Sequence, residues 1–249
     1  MAELRVENIN KFFQDKQVLE NVSLSLHNRE LVSLLGASGG GKSTLFNIIS
    51  GLMCPDSGEV SLDGNTITGE TGHVSYMLQK DLLFPFKTIE DNVALPLVIK
   101  GMKKREARKV AGPYFQEFGL ENTEKKYPHE LSGGMKQRAA LLRTYLFSSK
   151  VALLDEPFSA LDTITKSAMH KWYLGIMEKI QLSTLFITHD IDEAIYLSDR
   201  IYLLTGNPGH ITEEIIITEK KPRGEEFLLS ESFIHYKRKI IENLEKKLQ

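Results

Sequence analysis

A glycine-rich segment between an apolar run and a helical pattern constrains this chain more than any other feature of its sequence. Residues 36–44 have the sequence GASGGGKST. Residues 31–35 before it are mostly apolar and predict a buried strand, while Leu45, Ile48 and Ile49 fall on one face of a helix over residues 42–50. A strand and a helix joined by a tight glycine loop predict an α/β fold with exposed backbone N–H groups at the sheet edge.

The segment fits the pattern G-x-x-x-x-G-K-[ST], in the strand–loop–helix context that this pattern requires. Triphosphate oxygens need many close donors, which the loop N–H groups and the helix N-terminus supply. The lysine adds a charge at the β and γ phosphates and takes part in catalysis, and the next hydroxyl is a ligand for Mg²⁺. The predicted nucleotide-binding residues are Gly36, Ser38, Gly39, Gly41, Lys42, Ser43 and Thr44, with Ser43 also a metal ligand. The pattern alone leaves a plain glycine-rich turn as the alternative.

Two carboxylates follow a second apolar run, residues 151–154. Ligands bind at the carboxyl edge of a parallel sheet, where such a strand would end. Asp155 is therefore predicted to hold Mg²⁺. Glu156, which points to the other side of the strand, is the candidate general base for the water that attacks the γ phosphate. Taken alone, the pair could also be an acidic turn that caps a strand.

The order of patterns along the chain predicts a single domain over residues 1–249. Strand patterns occur at residues 22–26, 57–64, 74–78, 151–154, 184–187 and 201–204. Helical patterns between them predict a mostly parallel sheet wrapped by helices. The core is predicted at about 1–83 and 148–249, with a helical subdomain at about 84–147. Gly112 and Pro113 are expected to bend or split its helix over 103–118, and a last amphipathic helix is expected over 231–248.

Composition excludes several classes of protein. A hydrophobic fraction of 41% with 26% charged residues argues against a disordered chain, and a net charge of −2 argues against nonspecific nucleic-acid binding. No run approaches the roughly 18 apolar residues of a membrane span, and the N-terminus lacks a signal-peptide pattern. The single cysteine, Cys54, excludes a disulfide within the chain and suits a reducing cytosol.

The sequence LSGGMKQR at residues 131–138 resembles the signature motif of the ABC transporter ATPases. The resemblance covers nearly the whole chain, with the motifs in the family's order. Gln79 resembles the Q-loop glutamine, residues 159–162 resemble the D-loop, and His189 resembles the switch histidine. Phe13 stands where the family has an aromatic residue that stacks on adenine, although the adjacent Phe12 could serve instead and either could belong to the core.

This resemblance implies a P-loop NTPase core with a mostly parallel sheet, an N-terminal antiparallel β-subdomain and an inserted helical subdomain. It implies ATP hydrolysis with Mg²⁺, with Gln79 and His189 catalytic and Gln79 also a metal ligand. Ser132 is expected to cap a helix whose N-terminus is an anion site. The family places the corresponding residues, here Ser132, Gly133, Gly134 and Asp162, against a second subunit, so that a homodimer sandwiches two ATP molecules.

Residues 188–201, 207–211 and 221–223 are similar to importer ATPases of the nitrate, sulfonate and taurine group, whose relatives also serve thiamine-precursor uptake. The resemblance implies import of a small anionic or heterocyclic solute. It implies integral membrane permease subunits that dock near Gln79 and residues 84–92, an extracytoplasmic solute-binding protein, and a peripheral position on the cytoplasmic face of the membrane. The chain departs from the group at Gly40, where a bulkier residue is common, and at Phe86, where Trp is common.

The sequence disfavours two other functions. ABC-type ATPases of DNA repair or translation carry long coiled-coil insertions or two cassettes in one chain, and this sequence has neither; no nucleic-acid partner is expected. A binding-only regulator that has lost catalysis is disfavoured by Glu156 and His189.

Overall fold

Two β-sheets form the frame of the part of the chain that the computed structural model describes, residues 3–147, 150–221 and 223–245. The first is antiparallel with strand order β2-β1-β4-β5, and the second has the order β10-β9-β3-β8-β7-β6. The strands are β1 Leu4–Phe13, β2 Lys16–Leu26, β3 Leu31–Leu35, β4 Ser57–Leu62, β5 Asn65–Thr66, β6 Ser75–Met77, β7 Val151–Asp155, β8 Ser183–Thr188, β9 Arg200–Thr205 and β10 His210–Ile216.

The larger sheet is parallel except at one edge. Strands β6, β7, β8, β3 and β9 pair in parallel, and β10 returns antiparallel to β9. The predicted mostly parallel sheet and the antiparallel N-terminal sheet are thus confirmed. Strand β10 was not predicted from the sequence. Because it lies at the edge of the sheet, its exposed side chains give no continuous apolar run, and Ile215 is its buried residue.

Both faces of the parallel sheet are covered, which explains why its strands are apolar runs rather than alternating patterns. Along β3, Val32 and Leu34 pack with α1 and the antiparallel sheet, whereas Leu31 and Leu35 pack with the remaining helices. The α-helices are α1 Lys42–Ile49, α2 Ile89–Ile99, α3 Lys104–Glu117, α4 Gly133–Phe147, α5 Thr163–Ile180, α6 Ile191–Leu197, α7 Glu225–Leu228 and α8 Glu231–Glu245.

Residues 84–147 contain α2, α3, a 3₁₀ turn at Pro128–Glu130 and α4, so every regular element described there is helical. The limits of the helical subdomain remain a prediction. The expectation that α8 reaches Leu248 lies outside the described residues. Within the described part of the chain, no helix is both long enough and apolar enough to cross a bilayer.

Helix α3 was expected to bend or split at Gly112 and Pro113. The split is wrong, since the helix runs through both residues without interruption. Pro113 removes the N–H that would donate to the Lys109 carbonyl. Lys109 is exposed, so water can hydrogen-bond to that carbonyl instead. On the opposite face, Ala107 and Phe115 are buried and hold the helix against the core.

The two sheets are joined by the buried guanidinium of Arg200, whose side chain is 10% exposed. Its Nη2 donates to Glu30 Oε2 and to the Ser25 carbonyl, at 2.8 Å each, and its Nη1 donates to Glu214 Oε1 at 2.6 Å. Arg200 therefore connects β9 and β10 of one sheet to the end of β2 in the other.

Replacing Arg200→Met should lower the free energy of unfolding by about 3–5 kcal/mol, because it leaves Glu30 buried without its partner. The matched control is Lys237→Met, which removes an exposed ion pair with Asp192 and should cost less than about 1 kcal/mol. Urea unfolding of both variants measures the difference. Equal losses in the two variants would show that Arg200 does not join the sheets as described.

Candidate functional site

The glycine-rich loop leaves the end of β3 and enters α1 through backbone conformations that favour glycine. Gly39 and Gly41 have φ angles of 81° and 89°. Gly36 has a different constraint, since a Cβ there would lie 2.2 Å from the Leu204 carbonyl oxygen. Gly209, in the β9–β10 turn, approaches the loop so closely that a Cβ would lie 2.3 Å from the Gly40 carbonyl oxygen. The loop is therefore shaped by its own glycines and supported from the neighbouring hairpin.

Lys42 directs its ammonium group into this loop. Its Nζ donates to the carbonyl oxygens of Gly36 and Ala37, at 2.8 Å each. Burial lowers the pKa of Lys42, while the negative charges of Glu156 and Asp155 act in the opposite direction. The ammonium group thus lies within the loop and near both carboxylates, where it can reach a phosphate by exchanging carbonyl contacts.

Asp155 ends β7 beside the first turn of α1. Its Oδ2 accepts hydrogen bonds from Ser43 Oγ at 3.3 Å and from the Tyr76 hydroxyl at 3.5 Å. Burial raises the pKa of Asp155, and the Ser43 hydrogen bond opposes that shift. A hydroxyl and a carboxylate held together in this way are oxygen donors of the kind Mg²⁺ prefers. The two predicted ligands Ser43 and Asp155 therefore fit this ion.

Glu156 faces away from Asp155 and meets the other catalytic candidates. Its backbone is in the left-handed region, with φ 45°, which is unusual for a residue other than glycine. Its Oε1 lies 3.1 Å from His189 Nδ1, and its Oε2 accepts from Gln79 Nε2 at 3.0 Å. Gln79, which was also predicted to be a metal ligand, thus hydrogen-bonds to Glu156 rather than to Asp155.

A cavity of about 530 Å³ opens beside the loop. Its lining includes the loop residues Gly36, Ser38 and Gly39, together with His189. The cavity is large enough for part of a nucleotide, and these three predicted phosphate-binding residues border it directly.

Phe13 lies at the turn of the β1–β2 hairpin. Phe12 and Phe13 are 43% and 44% exposed, so neither belongs to the core. Lys11 Nζ lies 5.7 Å from the centre of the Phe13 ring. Both aromatic rings are accessible for stacking, and the choice of Phe13 over Phe12 remains a prediction.

Ser132 begins α4 on a surface separate from the phosphate loop. Its Oγ accepts from the Met135 N–H at 3.3 Å, the hydrogen bond of a helix cap. A Cβ on Gly133 would lie 3.5 Å from Leu161 Cδ2, and Gly134 packs against Met169 of α5. Asp162 caps α5 through the N–H of Thr165 at 3.1 Å. The residues predicted to face a second subunit therefore lie together, and no hydrogen bond among the described residues joins Ser132 or Asp162 to the phosphate loop.

Comparison with known proteins decides the family. The family described as ABC transporter matches residues 19–159. The formylaminopyrimidine import ATP-binding protein ThiZ of Halalkalibacterium halodurans is 46% identical over 198 residues, 80% of this chain and 77% of that protein. The chain belongs to the ABC transporter ATPases. It is an ATPase whose hydrolysis is coupled to transport, as predicted.

Other relatives cover more of this ABC ATPase. The nitrate import ATP-binding protein NrtD of Synechocystis sp. is 40% identical over 86% of this chain and 82% of its own. The aliphatic sulfonates import ATP-binding protein SsuB of Bacillus cereus is 38% identical over 97% and 95%. The dimeric ABC cassette MJ0796 superposes with a TM-score of 0.73 at 30% identity, covering 87% of this chain and all of that one; a post-hydrolysis dimer with ADP and phosphate gives 0.71.

Sequence reasoning missed three residues that contact the site of this ABC ATPase. Tyr76 donates to Asp155, Ser159 Oγ lies 3.5 Å from Gln79 Nε2, and Gly209 supports the phosphate loop. Ser159 belongs to the D-loop segment, and Tyr76 lies in the strand pattern three residues before Gln79, so their proximity to a motif residue was a usable signal. Gly209 lies far along the chain from the loop, and only the pairing of β3 with β9 brings them together.

Replacing Asp155→Asn should raise the melting temperature of the nucleotide-free protein at neutral pH. A raised carboxyl pKa in the folded state means that stability is lost as the pH rises through that pKa, and Asn removes the buried charge that causes the loss. Each kcal/mol recovered corresponds to about 2–4 °C for a chain of this size. Thermal unfolding at pH 8 and at a pH below the usual carboxyl pKa of 3.8 should show the larger gain at pH 8.

The exposed Asp192→Asn serves as the control; it removes the exposed ion pair with Lys237 and should not raise the melting temperature at either pH. A nucleotide-free Asp155→Asn protein that melts below the parent at pH 8 would contradict the assignment of a destabilising buried charge.

Proposed function

We propose that this chain is the ATP-hydrolysing subunit of an importer for a small anionic or heterocyclic solute. The observation that carries the catalytic part is the position of Glu156, which hydrogen-bonds to Gln79 and lies 3.1 Å from His189, a residue that lines the phosphate-loop cavity. The importer assignment is supported by the names of the relatives, which are import subunits for formylaminopyrimidine, nitrate and aliphatic sulfonates.

In the proposed mechanism the phosphate loop and Lys42 bind the β and γ phosphates of ATP. Ser43 and Asp155 would hold Mg²⁺, which would supply positive charge to neutralise the phosphate oxygens. Glu156 accepts a proton from the attacking water, and Gln79 orients that carboxylate. His189 contacts the γ phosphate and stabilises the charge that develops on it. Phe13 stacks on the adenine.

We place the other half of each nucleotide site on a second copy of the chain. The first turn of α4 contains no acidic residue, so its free N–H groups keep their attraction for an anion. Ser132, Gly133 and Gly134 would bind the γ phosphate held by the partner's loop, with Asp162 at the same interface. The dimer of MJ0796, a cassette 30% identical to this chain, supports this arrangement.

Replacing Glu156→Gln should reduce ATP turnover by a factor on the order of 10²–10⁴, because the amide cannot accept the proton. ATP binding and the nucleotide-dependent dimer should persist in this variant. Lys42→Ala should instead weaken nucleotide binding, because it removes the charge that faces the phosphates. Steady-state hydrolysis, nucleotide titration and light scattering measure the three properties.

Parental turnover in Glu156→Gln would remove Glu156 from the proposed mechanism. Unchanged ATP affinity in Lys42→Ala would likewise contradict the phosphate-binding role of the loop.

A second cavity, of about 380 Å³, fits the predicted contact with a permease. It lies between α2 and the end of α4, and Leu82, Phe84 and Ile99 are among its lining residues. Phe86 lies beside Phe84 with its ring tilted by 55° and ring centres 5.7 Å apart, and it is 72% exposed. Exposed apolar side chains clustered around a groove are typical of a protein-binding site. We propose that a cytoplasmic helix of the permease occupies it, which places this subunit at the cytoplasmic face of the membrane, with a solute-binding protein on the other side.

Replacing Phe86→Ala should reduce the amount of permease that copurifies with this subunit by about tenfold, because burial of a phenylalanine contributes about 1.5–3 kcal/mol. Ile216→Ala is the matched control, since Ile216 is 61% exposed on the distant strand β10. The measurement is quantitative pull-down from detergent-solubilised native membranes. Equal recovery with both variants, or recovery of no multi-span protein even with the parental chain, would count against this docking surface.

A further inference from the structure

Helices α5 and α6 meet at a charged cluster that the nucleotide site does not include. Lys166 Nζ, in the first turn of α5, donates to Asp190 Oδ2 at 2.6 Å and lies 3.4 Å from Glu193 Oε1. One turn later, His170 Nε2 is 2.8 Å from the same oxygen of Glu193. The Glu193 side chain is 3% exposed, so water screens these charges less than it screens a surface ion pair.

Asp190 holds the start of α6 immediately after His189. Its Oδ1 accepts from the Glu193 N–H at 3.1 Å, which caps the helix, and its own N–H donates to Thr188 Oγ1 at 3.0 Å. Burial favours the neutral form of Asp190, but the hydrogen bonds from Lys166 and from the Glu193 N–H keep its pKa below the usual value. Asp190 therefore remains charged and joins three elements, the end of β8, the first turn of α6 and Lys166.

The other end of this cluster is tied to Asp162. The Lys166 backbone N–H donates to the Asp162 carbonyl at 2.8 Å, and Asp162 Oδ1 caps the same turn through the N–H of Ile164. The side chain of Ile164 is 84% exposed, so this turn lies at the surface of the molecule. Any contact that moves Asp162 therefore moves the backbone that carries Lys166.

His189 has few contacts of its own to fix its ring. Its side chain is 57% exposed, and within the described part of the chain the polar contact of its ring is the one with Glu156. The direction of the imidazole is therefore set mainly by the backbone at Thr188 and Asp190, the segment that Lys166 holds.

We propose that Lys166 is a positioning residue. It transmits the contact of a second copy at Asp162 to His189, through Asp190. When a second copy presses on the first turn of α5, Lys166 draws Asp190, and with it the backbone of His189, into the position for catalysis. Glu193 of α6 holds Lys166 on this path, and His170 of α5 contacts the same Glu193 oxygen. This inference rests on the proposed function, in which Asp162 faces a second copy and His189 contacts the γ phosphate.

The alternative is that the cluster only stabilises the packing of α5 on α6. In that case its removal would lower the melting temperature and leave turnover unchanged at temperatures where the protein is folded. A positioning role instead lowers kcat and leaves the KM for ATP nearly unchanged, because ATP binds at the phosphate loop before Lys166 acts.

The test compares Lys166→Met with Lys166→Arg and with Lys171→Met in the full-length chain. Lys171 is the matched control, because it lies on the same helix but hydrogen-bonds to Glu225 rather than to α6. We expect Lys166→Met to lower kcat about 3- to 30-fold with little change in the KM for ATP. Lys166→Arg should restore most of the rate, since it can still donate to Asp190 and Glu193, and Lys171→Met should match the parent.

Two further variants locate the step. In a Glu156→Gln background, Lys166→Met should still form the ATP-dependent dimer, because the cluster acts after association. Asp190→Asn keeps the cap of α6 but loses the negative charge. The double variant of Asp190→Asn and Lys166→Met should have a turnover no slower than that of the slower single variant, because the two residues act as one unit.

Parental kcat in Lys166→Met, whatever its melting temperature, would overturn the inference. So would an additive double variant, a slow Lys166→Arg, or loss of the dimer in the Glu156→Gln background. A slow Glu156→Gln together with a fast Lys166→Met would overturn this inference alone, whereas parental turnover in Glu156→Gln would overturn the proposed function and this inference with it.

Discussion

The parallel pairing of β3, β8 and β7 is the constraint on which the site depends. The register sets Leu35 opposite Thr188 and Ile187 opposite Asp155. All three strands therefore end at the same level of one sheet edge. The residues that follow them, the phosphate loop after β3, Glu156 after β7 and His189 after β8, converge because of this register. A shift of one strand by a single residue would place the wrong side chains in the cavity.

The charges at this edge are arranged for a ligand. Asp155 is buried with a raised pKa, Lys42 is buried with a lowered one, and Glu156 has a backbone conformation that most residues avoid. These features cost stability in the nucleotide-free protein, and a magnesium-bound triphosphate would offset the two buried charges. This combination is typical of a site whose residues are selected for binding and catalysis rather than for the stability of the free chain.

Much of the fold and of the nucleotide site could be predicted from the sequence, because the residues that identify them are consecutive or nearly so. The loop glycines, the strand–carboxylate pair and the signature motif each occupy a few consecutive positions. The parallel strands could be found because burial on both faces makes them apolar runs. Strand β10 was not predicted because an edge strand needs few apolar residues. Helix α3 was expected to bend or split at Gly112 and Pro113, but it is continuous because the tertiary packing of Ala107 and Phe115 outweighs that local preference.

Contacts between distant segments of the chain could not be predicted from the sequence. Arg200 with Glu30, Gly209 with Gly40 and Lys166 with Asp190 are separated by 170, 169 and 24 positions, and none has a distinctive local pattern. Such pairs depend on the register of the sheet and on helix packing. The same limit applies to the two-copy site, since the sequence places Ser132 on a helix N-terminus but says nothing of which phosphate it meets.

The most direct test of the account is a disulfide between two copies of the chain. In a Cys54→Ser background, Ser38→Cys and Ser132→Cys would be introduced together, and oxidation would be followed with and without a non-cleavable ATP analogue and Mg²⁺. The account predicts a crosslinked dimer that forms with the nucleotide and requires both cysteines. Oxidation that yields no dimer at saturating nucleotide, or equal crosslinking without it, would contradict the claim that the phosphate loop of one copy and the α4 start of the other enclose ATP.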